Sequence, residues 1–227
     1  MPELESPATP GLSAAVQDYA KAIYQLADEG RNTVSTNDIA ARLDVRPASV
    51  SGMLRKLQSL GLAEHEPYRG VQLTERGRLV ALEVIRHHRL LELYLVESLG
   101  MTWDEVHAEA EILEHFLSDN LEALIAEKLG NPTLDPHGDP IPTADLTVAH
   151  DATRTLFELT PGESTRLLRV SDAEPEMLRF LSERGIAPGV ELELLERQPF
   201  DGPLYVRVAA DVHVLGAALT RAMWVSA

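Results

Sequence analysis

The sequence predicts a mainly α-helical chain that ends in a small β domain. Apolar residues recur at helical spacing through most of residues 13–130, and a proline-rich stretch without periodicity follows at 131–145. Short alternating apolar runs fill the region beyond Leu159. Because 227 residues exceed the usual size of one compact core, we expect two or three domains.

The composition excludes several classes of protein. The chain has no cysteine, which excludes a disulfide framework, a thiolate metal site and a cysteine nucleophile. Its apolar runs are too short to span a membrane, and its first ten residues lack the basic flank and apolar stretch of a signal peptide. We therefore expect a cytoplasmic protein that has no membrane partner.

The net charge of −16 is distributed unevenly along the chain. Residues 1–90 hold 11 basic and 11 acidic side chains, whereas residues 91–227 hold 9 basic and 25 acidic side chains. Within the first part, residues 31–90 carry 10 basic and 6 acidic side chains, a local excess of +4. The first part therefore suits a phosphate backbone, and the second suits cations.

The elements predicted in residues 13–75 follow the order helix, helix, turn, helix, hairpin. The first helix spans 13–30, and Ser35 is a suitable cap for the second. Pro47 suits the first position of the third helix. Two extended runs then flank the sequence EPYRG at 66–70, which is typical of a hairpin tip. This order is that of a winged helix-turn-helix.

The third helix has the surface expected of a helix that contacts DNA. Small residues at its start allow close approach to a major groove, and Arg55 and Lys56 can reach phosphates. A three-helix core with a solvated basic face is the alternative interpretation. The candidate DNA-contacting residues are Thr36, Arg46, Pro47, Ala48, Ser49, Ser51, Gly52, Arg55, Lys56 and Arg69.

Three further helices are predicted, at 74–100, 102–117 and 118–130. Polar side chains of the metal-binding types enter or border the apolar stripes of the first two, at spacings that keep them on one helical face. They are His88 and Glu92 on the first of these helices, and His107, Glu111, Glu114 and His115 on the second.

These polar side chains favour a bound metal ion. Buried carboxylates need partners, and a divalent cation satisfies several of them together with neutral imidazoles. Nitrogen and oxygen ligands without sulfur suit Mn(II), Fe(II) or Zn(II). A hydrogen-bonded histidine without a metal is the alternative for each residue taken singly. The sequence lacks zinc-peptidase, hydrolase, phosphate-loop and dinucleotide motifs, so we expect a regulatory ion and no enzymatic activity.

Taken together, these motifs resemble the metal-dependent repressors typified by the diphtheria-toxin repressor and the manganese transport regulators. The resemblance covers residues 13–227 and is carried by RHHRLLELYL, VHAEAEILEHFLSD, HGDPIP, LTPGES, LSERGIAPGVELEL and GAALTRAMWV. It implies a winged helix-turn-helix DNA-binding domain, a helical dimerisation domain that binds the metals, and a C-terminal SH3-like β-barrel domain. We place these domains at 13–75, 76–145 and 158–227, with a disordered lead at 1–12 and a linker at 146–157.

Carried over by position, the resemblance implies two metal sites. The primary site comprises Asp18, Glu111, Glu114 and His115, and the ancillary site comprises His88, Glu92 and His107, with Asp172, Glu174 and Glu176 as further candidates. Iron-responsive members have methionine and cysteine where this chain has Asp18 and Glu111, so the oxygen ligands favour Mn(II), with Fe(II) and other divalent metals as alternatives.

Two positions depart from the family pattern. Lys21 stands where manganese regulators with paired ions have a second carboxylate, which argues against a close binuclear site. Gly52 stands where iron-responsive members have a glutamine that contacts a base. The operator sequence of those members therefore cannot be assumed for this chain.

The predicted function is that of a Mn(II)-activated regulator that represses manganese or iron uptake genes by binding a palindromic DNA operator as a homodimer. In this hypothesis a shared ion joins Asp18 of the DNA-binding domain to the ligands of the dimerisation domain. The alternatives are an iron-responsive repressor of the same family, a metal-independent winged-helix regulator, a metallohydrolase and a manganese-storage protein.

Overall fold

The computed structural model describes residues 11–28, 33–66, 70–149 and 152–227, which divide into two compact units. The first unit comprises the described residues up to His88 together with Glu111–Lys128 and Pro142–Thr147. The second comprises Arg89–Ala110, Leu129–Ile141 and the described residues from Val148 onwards. Within the described ranges, no helix has the length and apolar character needed to cross a membrane.

The first unit begins with the predicted winged helix-turn-helix, whose order of elements is confirmed. The Oγ atom of Ser35 accepts a hydrogen bond from the backbone N–H of Asp38 at 3.1 Å and so caps the second helix. The predicted hairpin tip, which includes Arg69, lies outside the described residues. The elements are α1 (Ala14–Asp28), α2 (Thr36–Arg42), α3 (Pro47–Ser59), β1 (Ala63–Glu66) and β2 (Gly70–Leu73), and the two strands pair antiparallel.

One apolar core joins these elements. The inward faces of the three helices and the hairpin bury their aliphatic side chains against one another, which leaves the opposite face of α3 in solvent. The core includes Val16, Ala20, Ile23, Ile39, Val50, Leu54, Leu57, Leu62 and Val71.

Helix α4 (Glu75–Leu99) continues from the first unit into the second, followed by α5 (Val106–Leu113) and α6 (Asp119–Lys128). The predicted helix at 102–117 is therefore shorter than expected. Where α5 ends, Nδ1 of His87 donates to the carbonyl oxygen of Glu114 at 3.0 Å. The chain forms a turn there and the helical hydrogen bonding does not continue. Glu114 and His115 lie in this turn, so they do not share a helical stripe with His107.

The second unit contains a six-stranded antiparallel sheet in the order β3-β8-β4-β5-β6-β7. Its buried leucine and valine side chains pack with α7 into a second core. The elements are β3 (Thr153–Thr155), β4 (Ser164–Val170), α7 (Pro175–Ser182), β5 (Glu191–Arg197), β6 (Leu204–Val208), β7 (Asp211–Leu215), α8 (Ala217–Arg221) and β8 (Met223–Ser226).

The predicted linker at 146–157 differs from the structure. Thr153–Thr155 forms β3, which pairs with β8, and Leu156–Glu158 forms a 3-10 turn whose Leu156 is fully buried. A three-residue strand is too short to give a visible alternation of apolar and polar residues. Its pairing depends on β8, about seventy residues later in the sequence.

Candidate metal centres

The first unit brings Asp18 of α1 together with Glu114 and His115 of the turn after α5, and we call these three residues the α1 cluster. Nε2 of His115 lies 2.9 Å from Oδ1 of Asp18 and 3.6 Å from Oε1 of Glu114. The other ring nitrogen of His115 donates to Oε1 of Gln17 at 2.6 Å. Because Gln17 fixes that nitrogen, Nε2 is directed at the carboxylates, as a metal-ligating histidine requires.

The electrostatics of the α1 cluster also favour a cation. Burial raises the pKa of Asp18 above its ordinary value, although the neighbouring His115 opposes this effect. The negative charges of Glu114 and Glu111 raise the pKa of Asp18 further. The carboxylates therefore repel one another in partly buried surroundings, and a divalent cation among them would relieve that repulsion.

A second group of ligand atoms in the first unit surrounds a lysine. Nζ of Lys21 donates to Oε1 of Glu111 at 2.6 Å and to Oε2 of Glu114 at 2.8 Å. It lies 3.2 Å from Nδ1 of His88, which itself donates to Oε2 of Glu114 at 2.5 Å. We call these four residues the Lys21 pocket. Burial alone lowers the pKa of Lys21, but Glu114 and Glu111 outweigh burial and raise it, so the ammonium stays charged.

A buried ion-pair network fixes the turn that carries Glu114 and His115. Nε2 of His87 donates to Oε2 of Glu122 at 3.0 Å, while its Nδ1 holds the carbonyl group of Glu114. Arg86 donates to the second carboxylate oxygen of Glu122 at 2.5 Å and to the carbonyl of Pro142 at 2.6 Å. These bonds restrain the turn on which both candidate ligands lie.

The second unit assembles Glu92 of α4, His107 of α5 and Asp172, which follows β4. Nδ1 of His107 lies 3.2 Å from Oε1 of Glu92 and 3.0 Å from Oδ2 of Asp172. The loop after α6 adds Asp135 and His137, which form a group of metal-type ligands with Glu92. We call these five residues the Glu92 cluster.

His137 has the same arrangement as His115. Its Nε2 donates to the carbonyl oxygen of Trp103 at 2.7 Å, and its ring stacks on the Trp103 indole. The other nitrogen, Nδ1, lies 3.6 Å from Oε2 of Glu92 and has no hydrogen-bond partner among the described residues. Since His137 is only 1% exposed, this buried nitrogen has an unmet need for a partner, and a metal ion can satisfy it.

The Glu92 cluster binds extra protons when no cation is present. Burial alone lowers the pKa of His107, but hydrogen bonds to Asp172 and Glu92 outweigh burial and raise it to about 10. Burial raises the pKa of Asp135 to about 8, and the charges of Asp139 and Glu92 contribute to that rise. A metal ion that uses these ligands must therefore displace protons.

The structure places most of the predicted metal ligands in three groups. Asp18, Glu114 and His115 lie together; Glu111 and His88 face Lys21; and Glu92 and His107 lie with Asp172. Glu174 and Glu176 are exposed at the start of α7 and belong to no such group within the described residues. The sequence reasoning missed Gln17, Asp135 and His137. Asp135 and His137 lie in the stretch DPHGDPIP, where an aspartate and a histidine two positions apart could have indicated metal ligands.

The candidate DNA-contacting face of the first unit is open to solvent. Thr36 is half-buried, and the other described candidates on this face are exposed. A side-chain carbon added at Gly52 would meet no atom within 4 Å. Neither Arg55 nor Lys56 forms an ion pair within the part of the chain that the structure describes. This face therefore combines free cations with space for close approach.

A set of large apolar side chains remains exposed on α5, α6 and the turn between them. These residues all lie within residues 112–124 of the first unit, and exposed apolar patches are typical of protein interfaces. They are Ile112 (62% exposed), Leu113 (40%), Phe116 (82%), Leu121 (48%) and Leu124 (54%).

Three family models match the chain in sequence order. The model of the iron dependent repressor, N-terminal DNA binding domain, matches residues 11–71. The model of the iron dependent repressor, metal binding and dimerisation domain, matches residues 74–143. The FeoA domain matches residues 154–227.

Curated relatives and solved structures are similar to the chain over most of its length. The iron-dependent repressor IdeR of Mycobacterium leprae (strain TN) is 33% identical over 77% of this chain and 80% of that protein. IdeR of Mycobacterium tuberculosis (strain ATCC 25618 / H37Rv) is 41% identical over 55% of this chain, a match that spans 54% of that relative. A solved manganese-dependent transcriptional repressor in complex with manganese is 42% identical, covers 93% of this chain and 99% of its own, and superposes with a TM-score of 0.88.

We predict that raising the pH destabilises the metal-free second unit. Asp135 has an ordinary pKa of 3.8 and a folded value of about 8, and His107 has values of 6.5 and about 10. At pH values between the ordinary and the folded pKa of each group, the folded chain binds more protons than the unfolded chain. The stability that this group contributes at low pH is therefore lost as the pH rises to the folded pKa. Urea denaturation of chelator-treated protein between about pH 6 and pH 9.5 measures this slope.

Tryptophan fluorescence reports on the second unit, since both tryptophans of the chain, Trp103 and Trp224, lie in it. Asp172→Asn removes a partner of protonated His107 and should flatten the upper part of the pH slope. Asp211→Asn, at an exposed position, should leave the slope unchanged. Stability that increases with pH in the unsubstituted protein would contradict the prediction.

Proposed function

The chain belongs to the family of iron- and manganese-dependent transcriptional repressors, and we propose that it is a Mn(II)-activated repressor that binds a palindromic operator as a homodimer in the cytoplasm. The α1 cluster carries this proposal. It places a carboxylate of the first helix of the DNA-binding elements beside two metal-type ligands of the turn after α5. The family is one of DNA-binding repressors and not of enzymes.

The choice of metal rests on the ligand atoms. The α1 cluster offers two carboxylates and one imidazole, and Glu111 adds another carboxylate nearby. This set contains no sulfur, and hard oxygen ligands suit Mn(II) better than softer ions. Some relatives are named iron-dependent repressors, and a similar solved structure is a manganese-dependent repressor bound to manganese. We propose Mn(II) as the activating ion, with Fe(II) as the alternative.

The residues of the first unit couple the metal site to the DNA-binding face. A divalent ion bound at the α1 cluster supplies the positive charge that lets its carboxylates approach one another. Asp18 is part of α1, whose buried side chains share one core with Val50 and Leu54 of α3. The position of Asp18 and the orientation of α3 are therefore linked through packed side chains. By reciprocity, operator binding must increase metal affinity by the factor by which metal increases operator affinity.

We propose that the Glu92 cluster is the ancillary metal site. Its support is the buried Nδ1 of His137 together with the close approach of His107 to two carboxylates. Asp135 and the ligand-bearing loop are held by backbone bonds, since Oδ1 of Asp135 accepts the N–H groups of His137 and Asp139 at 2.8 and 2.9 Å. Metal affinity at this site should rise with pH, because the histidines must lose protons to bind.

The proposed homodimer uses the exposed apolar side chains of α5 and α6. A second copy of the chain would cover Phe116, Leu121 and Leu124, and such burial is favourable at about 25 cal/mol per Å². A two-fold dimer brings two α3 helices into the arrangement that a palindromic operator requires.

The first experiment tests the link between the metal and DNA. We predict that chelator-treated protein binds DNA from upstream of its own gene only after Mn(II) is added, as measured by fluorescence anisotropy at fixed salt. Asp18→Asn removes one charged ligand and should raise the Mn(II) concentration at the midpoint about tenfold or more. Glu127→Gln removes the same charge at an exposed position of α6 and should leave the midpoint unchanged.

Other outcomes of that titration separate the alternatives. An unchanged midpoint for Asp18→Asn would contradict the role of the α1 cluster. Tight binding without metal would favour a metal-independent winged-helix regulator, and activation by Fe(II) at lower concentrations than Mn(II) would favour the iron-responsive repressor.

The dimer is tested by placing a charge on its proposed interface. Phe116→Glu should shift the protein from dimer to monomer in sedimentation velocity, because a carboxylate would be buried against apolar side chains. Ala41→Glu adds the same charge at an exposed position of α2 and should stay dimeric. A dimer that resists Phe116→Glu would rule out this face as the interface.

A further inference from the structure

The Lys21 pocket holds an ammonium group where a metal ion would have suitable ligands. We propose that Lys21 serves as the second cation of the acidic site in the first unit, so that this unit takes one divalent ion instead of a close pair. The inference rests on the proposed metal site at the α1 cluster and defines its stoichiometry.

The contacts of Lys21 are those of a bound cation. Its side chain is only 8% exposed, and Nζ approaches both oxygens of Glu114, at 3.0 and 2.8 Å, and Oε1 of Glu111, at 2.6 Å. Without the lysine, His88, Glu111 and Glu114 present ligand atoms within 4.8 Å of one another, which is the spacing of a metal site. The ammonium therefore occupies the space that a second ion would need.

Glu114 belongs to both groups of ligands. Its Oε1 lies 3.6 Å from Nε2 of His115 in the α1 cluster, and its Oε2 lies 2.8 Å from Nζ of Lys21. In two-metal sites the paired ions lie about 3.5–4 Å apart, close enough to share such a carboxylate. Here the same carboxylate faces the proposed metal position on one side and a lysine ammonium on the other.

The charges balance for one ion only. Asp18, Glu111 and Glu114 supply three negative charges, and one divalent ion together with the Lys21 ammonium supplies three positive charges. A pair of divalent ions beside the ammonium would leave an excess of two positive charges in a largely buried site. Lys21→Glu supplies four carboxylates and no ammonium, which balances two divalent ions.

A lysine that simply withdraws when metal binds is the competing explanation. Its neighbours on α1, Ala20 and Ala22, are buried, and Lys21 is itself buried. A withdrawn ammonium would lose its two carboxylate partners in these surroundings, which is strongly unfavourable. The geometry therefore favours an ammonium that stays in place.

The test counts the ions in the first unit. The full chain is used in a background where Glu92→Gln and His107→Ala disable the Glu92 cluster, because Glu92 belongs to both of its groups of ligands. Mn(II) is measured by equilibrium dialysis and electron paramagnetic resonance. We expect one Mn(II) per chain with the six-line spectrum of an isolated ion. With Lys21→Glu added, we expect two Mn(II) per chain and the broadened spectrum of an exchange-coupled pair. Lys128→Glu, an exposed substitution of the same charge, should keep one ion.

Lys21→Ala provides a second variant in case Lys21→Glu does not fold. It empties the pocket but leaves three carboxylates, so a second Mn(II) should bind, with lower affinity than in Lys21→Glu. Two coupled ions in the chain that retains Lys21 would overturn the proposal, as would a single ion in folded Lys21→Glu and Lys21→Ala proteins. Absence of any Mn(II) in the chain that retains Lys21 would overturn both this proposal and the metal site on which it rests.

Discussion

The need to neutralise closely spaced carboxylates governs the first unit. Asp18 comes from α1, whereas Glu111 and Glu114 come from the end of α5 and the turn after it, so like charges approach from segments about ninety residues apart. Lys21 neutralises part of this charge, and the α1 cluster can take a metal ion for the rest. Because α1 shares a core with α3, an ion bound to Asp18 would also affect the orientation of α3, as the proposed control of DNA binding requires.

In both proposed metal sites, a histidine ring is oriented by the same kind of hydrogen bond. A neutral oxygen acceptor holds one ring nitrogen, and the other nitrogen is thereby directed at carboxylates. For His115 the acceptor is the side chain of Gln17, and for His137 it is the backbone carbonyl of Trp103. Such contacts fix the ring without adding charge, so they leave the positive charge of the site to the bound cation.

Most of the fold could be predicted from the sequence, because helical periodicity, the capping residue Ser35 and alternating strand patterns are local signals. The end of α5 could not be predicted, because it depends on a hydrogen bond from His87 to the carbonyl oxygen of Glu114, twenty-seven residues later in the sequence. Glu92 was a candidate ligand from its helical spacing, whereas Asp18 was a candidate only through the resemblance to the family. The place of Lys21 inside the acidic group and the approach of His137 to Glu92 depend on tertiary packing, which sequence spacing does not encode.

The proposal that an ion at the α1 cluster controls the repressor is tested most directly by diffraction from crystals of the Mn(II)-loaded protein at the manganese absorption edge. Anomalous scattering locates the ion without assumptions about ligands. We expect a peak bounded by Asp18, Glu114 and His115, with none in the Lys21 pocket. Anomalous peaks confined to the second unit, with no peak beside Asp18, would contradict the proposed control of DNA binding by this site.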